Sequence, residues 1–441
     1  MNKVLKILLL FIVTASVFGC ANKDKIKKLP GKYIELMQEI EYAQPDKALA
    51  AKTITIPNLQ INDKWLNSNF SVSSIPENIK IEPELTYKIN SLKLAHSNNF
   101  YGVSTTPVIF NNILYSFNNS GYVAAYNVSD LSKLVWSKKL LSKDIAKDSI
   151  GGGLVCDKDF LVITFGNTSL IALNKDDGSE IWNYNLSSIA RSTPTIKDNK
   201  VFVLTVDNRL YCIDLYTGKL LWTHEGAIEQ FGVFGSASPV VSGNLVIVPH
   251  SSGQLNALNI KSGEVVWQLS LIKSTDNSTM LYLNDIDMTP IINQDVLYVS
   301  NYAGTMFAVD VSTGQIKWTN DSVGGNKFAW IAGNYIYSVN KYNQLTAVLK
   351  QTGHVKWVTD LVEKITTKSK SNKDKVVISG PVMVNSMLYL TNSDGKLSVF
   401  NPISGAKLSE YSISKNVYSP PIAVGDKIYF INNSGILSVV R

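Results

Sequence analysis

Cysteine and histidine are both scarce in this chain, with 3 and 4 residues among 441. No two cysteines are adjacent, so a vicinal disulfide is excluded. No pair among His96, His224, His250 and His354 has the spacing of metal ligands. An oxygen-rich calcium loop is not evident either, because Asp176-Asp177 falls in a turn before Gly178. Beyond the first twenty residues there is no second run of some twenty apolar residues, so no further segment is expected to cross a membrane as a helix. The formal charge of +7 is diffuse and does not point to nucleic acid. Scarcity of these kinds leaves little chemistry for catalysis, and we expect no enzymatic activity, no metal and no cofactor.

The N-terminus is informative. Lys3 and Lys6, an apolar run from Ile7 to Val13 and small residues leading to Cys20 have the layout of a secretory signal removed from the mature protein. Loss of residues 1–19 removes two lysines and no acid, leaving +5. The end of that segment, Val17-Phe18-Gly19-Cys20, resembles a bacterial lipobox, although Phe18 stands where a small residue is preferred. The resemblance implies acylation of Cys20, and several acyl chains hold a protein at a membrane surface. Ala21 follows, rather than an Asp that would signal inner-membrane retention, which implies the periplasmic face of the outer membrane. Residues 20–60, Lys-rich at first, are expected to form a flexible tether with a short helix from Tyr33 to Tyr42. Cys156 and Cys212 are expected to be buried free thiols.

What is abundant is repetition. Trp136, Trp182, Trp222, Trp267, Trp318 and Trp357 recur at spacings of 46, 40, 45, 51 and 39 residues. Each closes the same phrase, an apolar strand, a turn usually ending in Gly, and a strand carrying the Trp. Repeats of this length made of short alternating strands indicate an all-β protein, a β-propeller of four-stranded antiparallel blades. Openings at Thr106-Pro107, Gly151, Thr193-Pro194, Ser238-Pro239, Thr289-Pro290, Phe328, Gly380-Pro381 and Ser419-Pro420 predict eight blades over residues 61–441. The seventh repeat reads Leu408 at the Trp place. The eighth stops at Arg441, after its third strand, so an N-terminal strand, Glu84 to Asn90 with Tyr87 at the Trp place, is expected to close it. The tryptophans themselves are expected to be wedges between blades.

Trp is never followed by Asp here, and the phrase Ala-Leu-Asn-x-x-Ser/Thr-Gly-x-x-x-Trp instead resembles the quinoprotein-type repeat. Two families share it, the quinone-dependent dehydrogenases and the BamB lipoproteins of outer-membrane β-barrel assembly. The second resemblance is the closer and extends over nearly the whole chain, its most specific piece being Asp285-Ile286-Asp287-Met288-Thr289-Pro290. It implies a non-catalytic scaffold that binds a POTRA domain of BamA and aids insertion of unfolded outer-membrane clients. Asp285 and Asp287 match the family's acidic pair and are expected to face solvent on one side of the chain. Phe231 and Val233 match an apolar pair of a second contact loop, while Phe234 replaces the family's Arg. The lysines of Lys364 to Lys375 read as a solvated loop. Client strands could also pair with an exposed blade edge, which the sequence does not locate. The alternatives are a propeller that binds another envelope protein and a quinone-dependent dehydrogenase relative.

Overall fold

The computed structural model describes residues 42–68, 75–82, 85–94, 106–118, 120–142, 151–227, 237–272, 285–286, 288–325, 328–362 and 376–441. The repeat phrase folds locally as an antiparallel meander. In the fourth repeat, Val240–Ser242, Leu245–Pro249, Gln254–Asn259 and Val265–Ser270 pair in chain order. Asn- and Gly-containing turns join them, with Gly253 and Gly263 both at φ +75, a conformation that glycine adopts without a Cβ penalty. We call the blades first to seventh for residues 108–139, 153–185, 195–225, 240–270, 291–320, 329–360 and 378–412. First strands of neighbouring blades lie against one another, so they face the centre and the fourth strands form the rim.

Among the described residues the strands make seven four-stranded sheets and one six-stranded sheet. This departs from eight like blades, because Gln60–Ile61 and Ile79–Lys80 extend the seventh blade as parallel strands. One four-stranded sheet is composite. Ile422–Val424, Lys427–Ile431 and Ile436–Val440 come from the C-terminus, and Ile89–Lys93 pairs antiparallel with the last of them, Ile89 opposite Val440. The closing strand therefore starts later than the expected 84–90. Tyr87 precedes it at φ +55, where its ring stacks on Tyr411 at 4.2 Å and its hydroxyl lies 2.9 Å from that of Tyr389. The tryptophan place is instead held by Asn90, opposite Val439. Likewise Ser409, not Leu408, holds it in the seventh blade, opposite Val399 as Trp267 is opposite Ala257, and four residues after the turn glycine as in the second to sixth blades.

The tryptophans join blade to blade. Trp136, Trp182, Trp267, Trp318 and Trp357 donate their indole N–H to Lys175, Leu215, Val311, Lys350 and Pro402 carbonyls of the following blade at 2.7–2.9 Å, and Trp222 reaches Ile260 at 3.3 Å. Each ring also lies on the next blade's turn glycine. A Cβ at Gly314 would come within 2.7 Å of Trp267, and one at Gly263 within 2.7 Å of Trp222. The repeat's Gly and Trp are thus two halves of one contact between neighbours, which is why they recur together.

Residues 42–60 are not a free tether. Ala43, Leu49 and Ile54 are buried, the Asp46 N–H donates to the Val355 carbonyl at 2.8 Å, and His354 Nδ1 lies 3.0 Å from the Asp46 carboxylate. The chain then crosses the face that carries the turns between first and second strands. Asn62 binds the Ala423 carbonyl, Trp65 bridges Ile109, Ser68 caps Leu154, and Ile79 pairs with Val384. Glu77 is held three ways, by Gly333 N–H at 2.8 Å, Asn293 Nδ2 at 3.1 Å and, on its carbonyl, Trp330 Nε1 at 2.7 Å. Beneath this segment lies a cavity of about 990 Å³ lined among others by Glu77, Lys158, Lys197 and Asn293. Trp65 is fully buried yet falls outside the repeat spacing, so no period in the sequence marks its place in the fold.

Candidate protein-binding face

In a four-stranded antiparallel blade, the turn between the second and third strands and the connector to the next blade fall on the same face. Both candidate contact loops are such connectors. One lies between the third and fourth blades and the other between the fourth and fifth. Phe231, Val233, Phe234 and Asp287 lie outside the described residues, as do Cys20, the 33–41 part of the expected helix and Lys364 to Lys375. The bases of the two connectors are described.

At the first base, Gly226 N–H donates to the Asn208 carbonyl at 2.9 Å and the Asn208 amide donates to the Ala227 carbonyl at 2.6 Å. The Asn208 side-chain oxygen accepts from Ser251 N–H and Oγ, both at 3.0 Å. Gly226 packs on His250 so closely that a Cβ would stand 2.5 Å from its ring. Behind it, the Asn256 amide nitrogen lies 3.3 Å from His224 Nε2 and 3.2 Å from His250 Nε2. Burial, and secondly the neighbouring His224, lower the His250 pKa to about 4; burial also lowers that of His224. Both imidazoles are neutral at pH 7 and accept the two amide protons.

At the second base the expectation for Asp285 is corrected. Its residue is 3% exposed, not solvent-facing, and its carbonyl accepts from Tyr302 N–H at 2.9 Å. The reason is the apolar residues that follow it in sequence. Ile286 fills the core between fourth and fifth blades and Met288 the core between fifth and sixth, so the segment is pinned into two seams. The exits of both connectors meet: Ser238 N–H donates to Thr289 Oγ1 at 3.2 Å, with both residues buried. The structure thus joins the described bases of the two connectors by a buried hydrogen bond.

Elsewhere the chemistry is quiet. Cys156 and Cys212 are free and buried, and burial pushes each thiol up to about 12, which keeps them protonated and poorly nucleophilic. Among the described residues no group of three or more His, Cys, Asp or Glu is placed to hold a metal ion, and no helix is long and apolar enough to cross a membrane.

The chain is similar to an uncharacterized protein of Rickettsia prowazekii, 30% identical over 78% of this chain and 83% of that one. To outer membrane protein assembly factor BamB of Escherichia coli it is 25% identical over 72% of this chain and 79% of the relative. The crystal structure of BamB from Moraxella catarrhalis superposes with a TM-score of 0.68 at 20% identity, covering 80% of this chain and 98% of that one. A quinohemoprotein alcohol dehydrogenase of Pseudomonas putida shares the fold, with a TM-score of 0.62 at 12% identity over 86% and 80% of the two chains. The sequence model of one family matches residues 119–359, more than half of the chain. With that match, the chain belongs to the family of outer membrane protein assembly factor BamB.

Proposed function

We propose that this chain is a non-catalytic scaffold of outer-membrane β-barrel assembly, docking on a POTRA domain of BamA through the connectors 228–236 and 273–287. The proposal includes a ring of eight blades, the composite sheet being the eighth. It also includes a signal peptide at residues 1–19 and lipidation at Cys20 that holds the protein at the periplasmic face of the outer membrane. The observation that carries the reading is the Ser238–Thr289 hydrogen bond, because it joins the roots of the two segments that sequence singles out as partner-binding. A paired set of loops on a rigid base can present Phe231, Val233, Phe234 and Asp287 to one partner at little ordering cost.

Titrating the purified BamA periplasmic region against wild type and the Phe231→Ala, Phe234→Ala and Asp287→Ala variants tests it. Each variant should weaken binding with an unchanged melting temperature, and aromatic anchors typically cost about 2 kcal/mol or more, roughly thirtyfold. Because Phe234 replaces an Arg, the affinity should change little with added salt. Unchanged dissociation constants across all three variants would overturn the reading. For the anchor, Cys20→Ser should shift the protein from the washed outer-membrane fraction to the soluble or inner-membrane fraction; retention in the outer membrane would exclude lipidation there.

A further inference from the structure

The rim of this propeller is unevenly guarded. Two residues before the tryptophan, each outer strand except that of the second blade carries an aliphatic residue: Leu134, Leu220, Val265, Ile316 and Val355. One residue before it, the fifth and sixth blades have Lys317 and Lys356, the kind of charge that protects an edge from pairing. The first, third and fourth blades have Val135, Leu221 and Val266 instead; the third and fourth are neighbours, so four exposed aliphatics, Leu220, Leu221, Val265 and Val266, stand on two adjacent rims. Among the described residues no strand pairs with the outer edges of Leu220–Glu225 or Val265–Ser270.

The sixth blade shows what such an edge accepts. Val355 is 4% exposed, against 47% for Val265 at the same place, because residues 46–50 of this chain lie on it. Asp46 N–H donates to the Val355 carbonyl at 2.8 Å, Lys356 Nζ reaches the Ala50 carbonyl at 3.0 Å, and Leu49 is buried alongside. The seated piece is a short 3₁₀ turn, Lys47–Leu49, held by one main-chain donor, the Lys356 ammonium and an aliphatic side chain, so a carbonyl of this outer edge is open to an N–H from another segment. These two neighbouring strands also run directly into the candidate connectors: Leu220–Glu225 ends just before 228–236, and Val265–Ser270 just before 273–287.

We propose that the outer edges of Leu220–Glu225 and Val265–Ser270 are docking strips for an extended polypeptide with alternating aliphatic side chains, held by main-chain hydrogen bonds as a temporary fifth strand. The identity of the occupant, an unfolded strand of a β-barrel client, rests on the function proposed above; the docking chemistry does not. Backbone pairing supplies affinity without sequence specificity, and the aliphatic pair selects segments that alternate.

The test uses the full-length protein carrying the photo-crosslinking residue benzoylphenylalanine in place of Leu221 or of Val266. The probe is a biotinylated peptide of about twelve residues alternating Val and Thr, together with the same peptide N-methylated at every second amide. Crosslinking of the first and an about tenfold loss with the second is expected, since N-methylation removes the main-chain donors while keeping the side chains. Equal crosslinking of both would overturn pairing through the backbone. Separately, L221K with V266K should weaken binding of the unmethylated peptide about tenfold, with the melting temperature and capture of the BamA periplasmic region unchanged. Undiminished peptide binding in that variant would overturn the location. Peptide binding to the strips in a protein whose connector variants all capture BamA as tightly as wild type would leave the strips standing and sink only the function on which the occupant's identity rests.

Discussion

At Gly314 the backbone stands at φ +71 and a Cβ would meet Trp267 at 2.7 Å, so one methyl group interrogates a seam. Gly314→Ala incurs a left-handed backbone cost of about 1 kcal/mol and an overpacking cost of about 1–3 kcal/mol. Trp267→Ala alone should cost about 3–5 kcal/mol. In the double variant the overpacking cost vanishes while the backbone cost stays, so a urea-unfolding cycle should show coupling of about 1 kcal/mol or more; additive effects would mean that ring and glycine do not bear on one another. His250 supplies a pH prediction. Its folded pKa of about 4 lies below the ordinary 6.5, so the unfolded chain takes up the proton first. Stability is therefore full above pH 6.5 and declines as pH falls toward 4, by about 3 kcal/mol in all. His250→Gln should flatten that part of the stability profile measured from pH 7 to 4. Asp285→Ala, at a buried residue, should lower the unfolding free energy by more than the roughly 0.5 kcal/mol of an exposed turn residue, as urea unfolding would measure. The Trp places were legible because spacing repeats; the burial of Asp285 was not, since Ile286 and Met288 look like ordinary strand alternation until two seams are seen to claim them.

Among the elements, the blades were readable and the N-terminal segment was not. A blade announces itself by period: strands of two-residue alternation, turns of Asn and Gly, and a tryptophan to close. Residues 42–82 have no such period, because they bury Leu49, Ile54, Trp65 and Ile79 against surfaces that the blades have already formed. The pattern that would reveal them belongs to the receiving blades. The same logic shifted the closing strand from the expected 84–90 to Ile89–Lys93, since its register is set by Ile436–Val440 and not by the place of Tyr87. Deleting residues 21–41 should leave the melting temperature unchanged. Extending the deletion through residue 60 removes two buried aliphatics, Leu49 and Ile54, worth about 1.5–3 kcal/mol each, along with the Asp46 and Lys356 contacts. A fall of several degrees is expected in calorimetry. Equal melting temperatures for the two truncations would show that the segment contributes nothing to the folded state.

For the whole molecule the decisive property is closure. A solenoid of the same repeats would tolerate loss of an end, each unit depending only on its neighbours. A ring has no end to lose, and here the place where one would be is filled by pairing Ile89–Lys93 with Ile436–Val440. The six Trp–Gly contacts run from the first blade to the seventh, but Ser409 and Asn90 leave the two seams of the composite sheet without one. Those seams are held by the apolar cluster that joins Tyr389, Tyr429, Trp65 and Leu437, while the Thr86 N–H bond to the Arg441 carbonyl at 2.8 Å prolongs the terminal pairing within the sheet. Closure therefore depends on the last strand. Truncation after Asn432 removes the strand that both Ile89–Lys93 and Lys427–Ile431 pair with, exposing two edges at once in a chain whose first and seventh blades then face an incomplete sheet. In wild type, tryptophan fluorescence, which samples six seams, and far-UV dichroism should unfold in urea with one midpoint. In the truncated chain the midpoint should fall and the two probes should separate, as blades near the break open before those opposite it, with aggregation on refolding. Coincident transitions at the wild-type midpoint would mean that the terminal pairing is an ornament on an array that is stable without it.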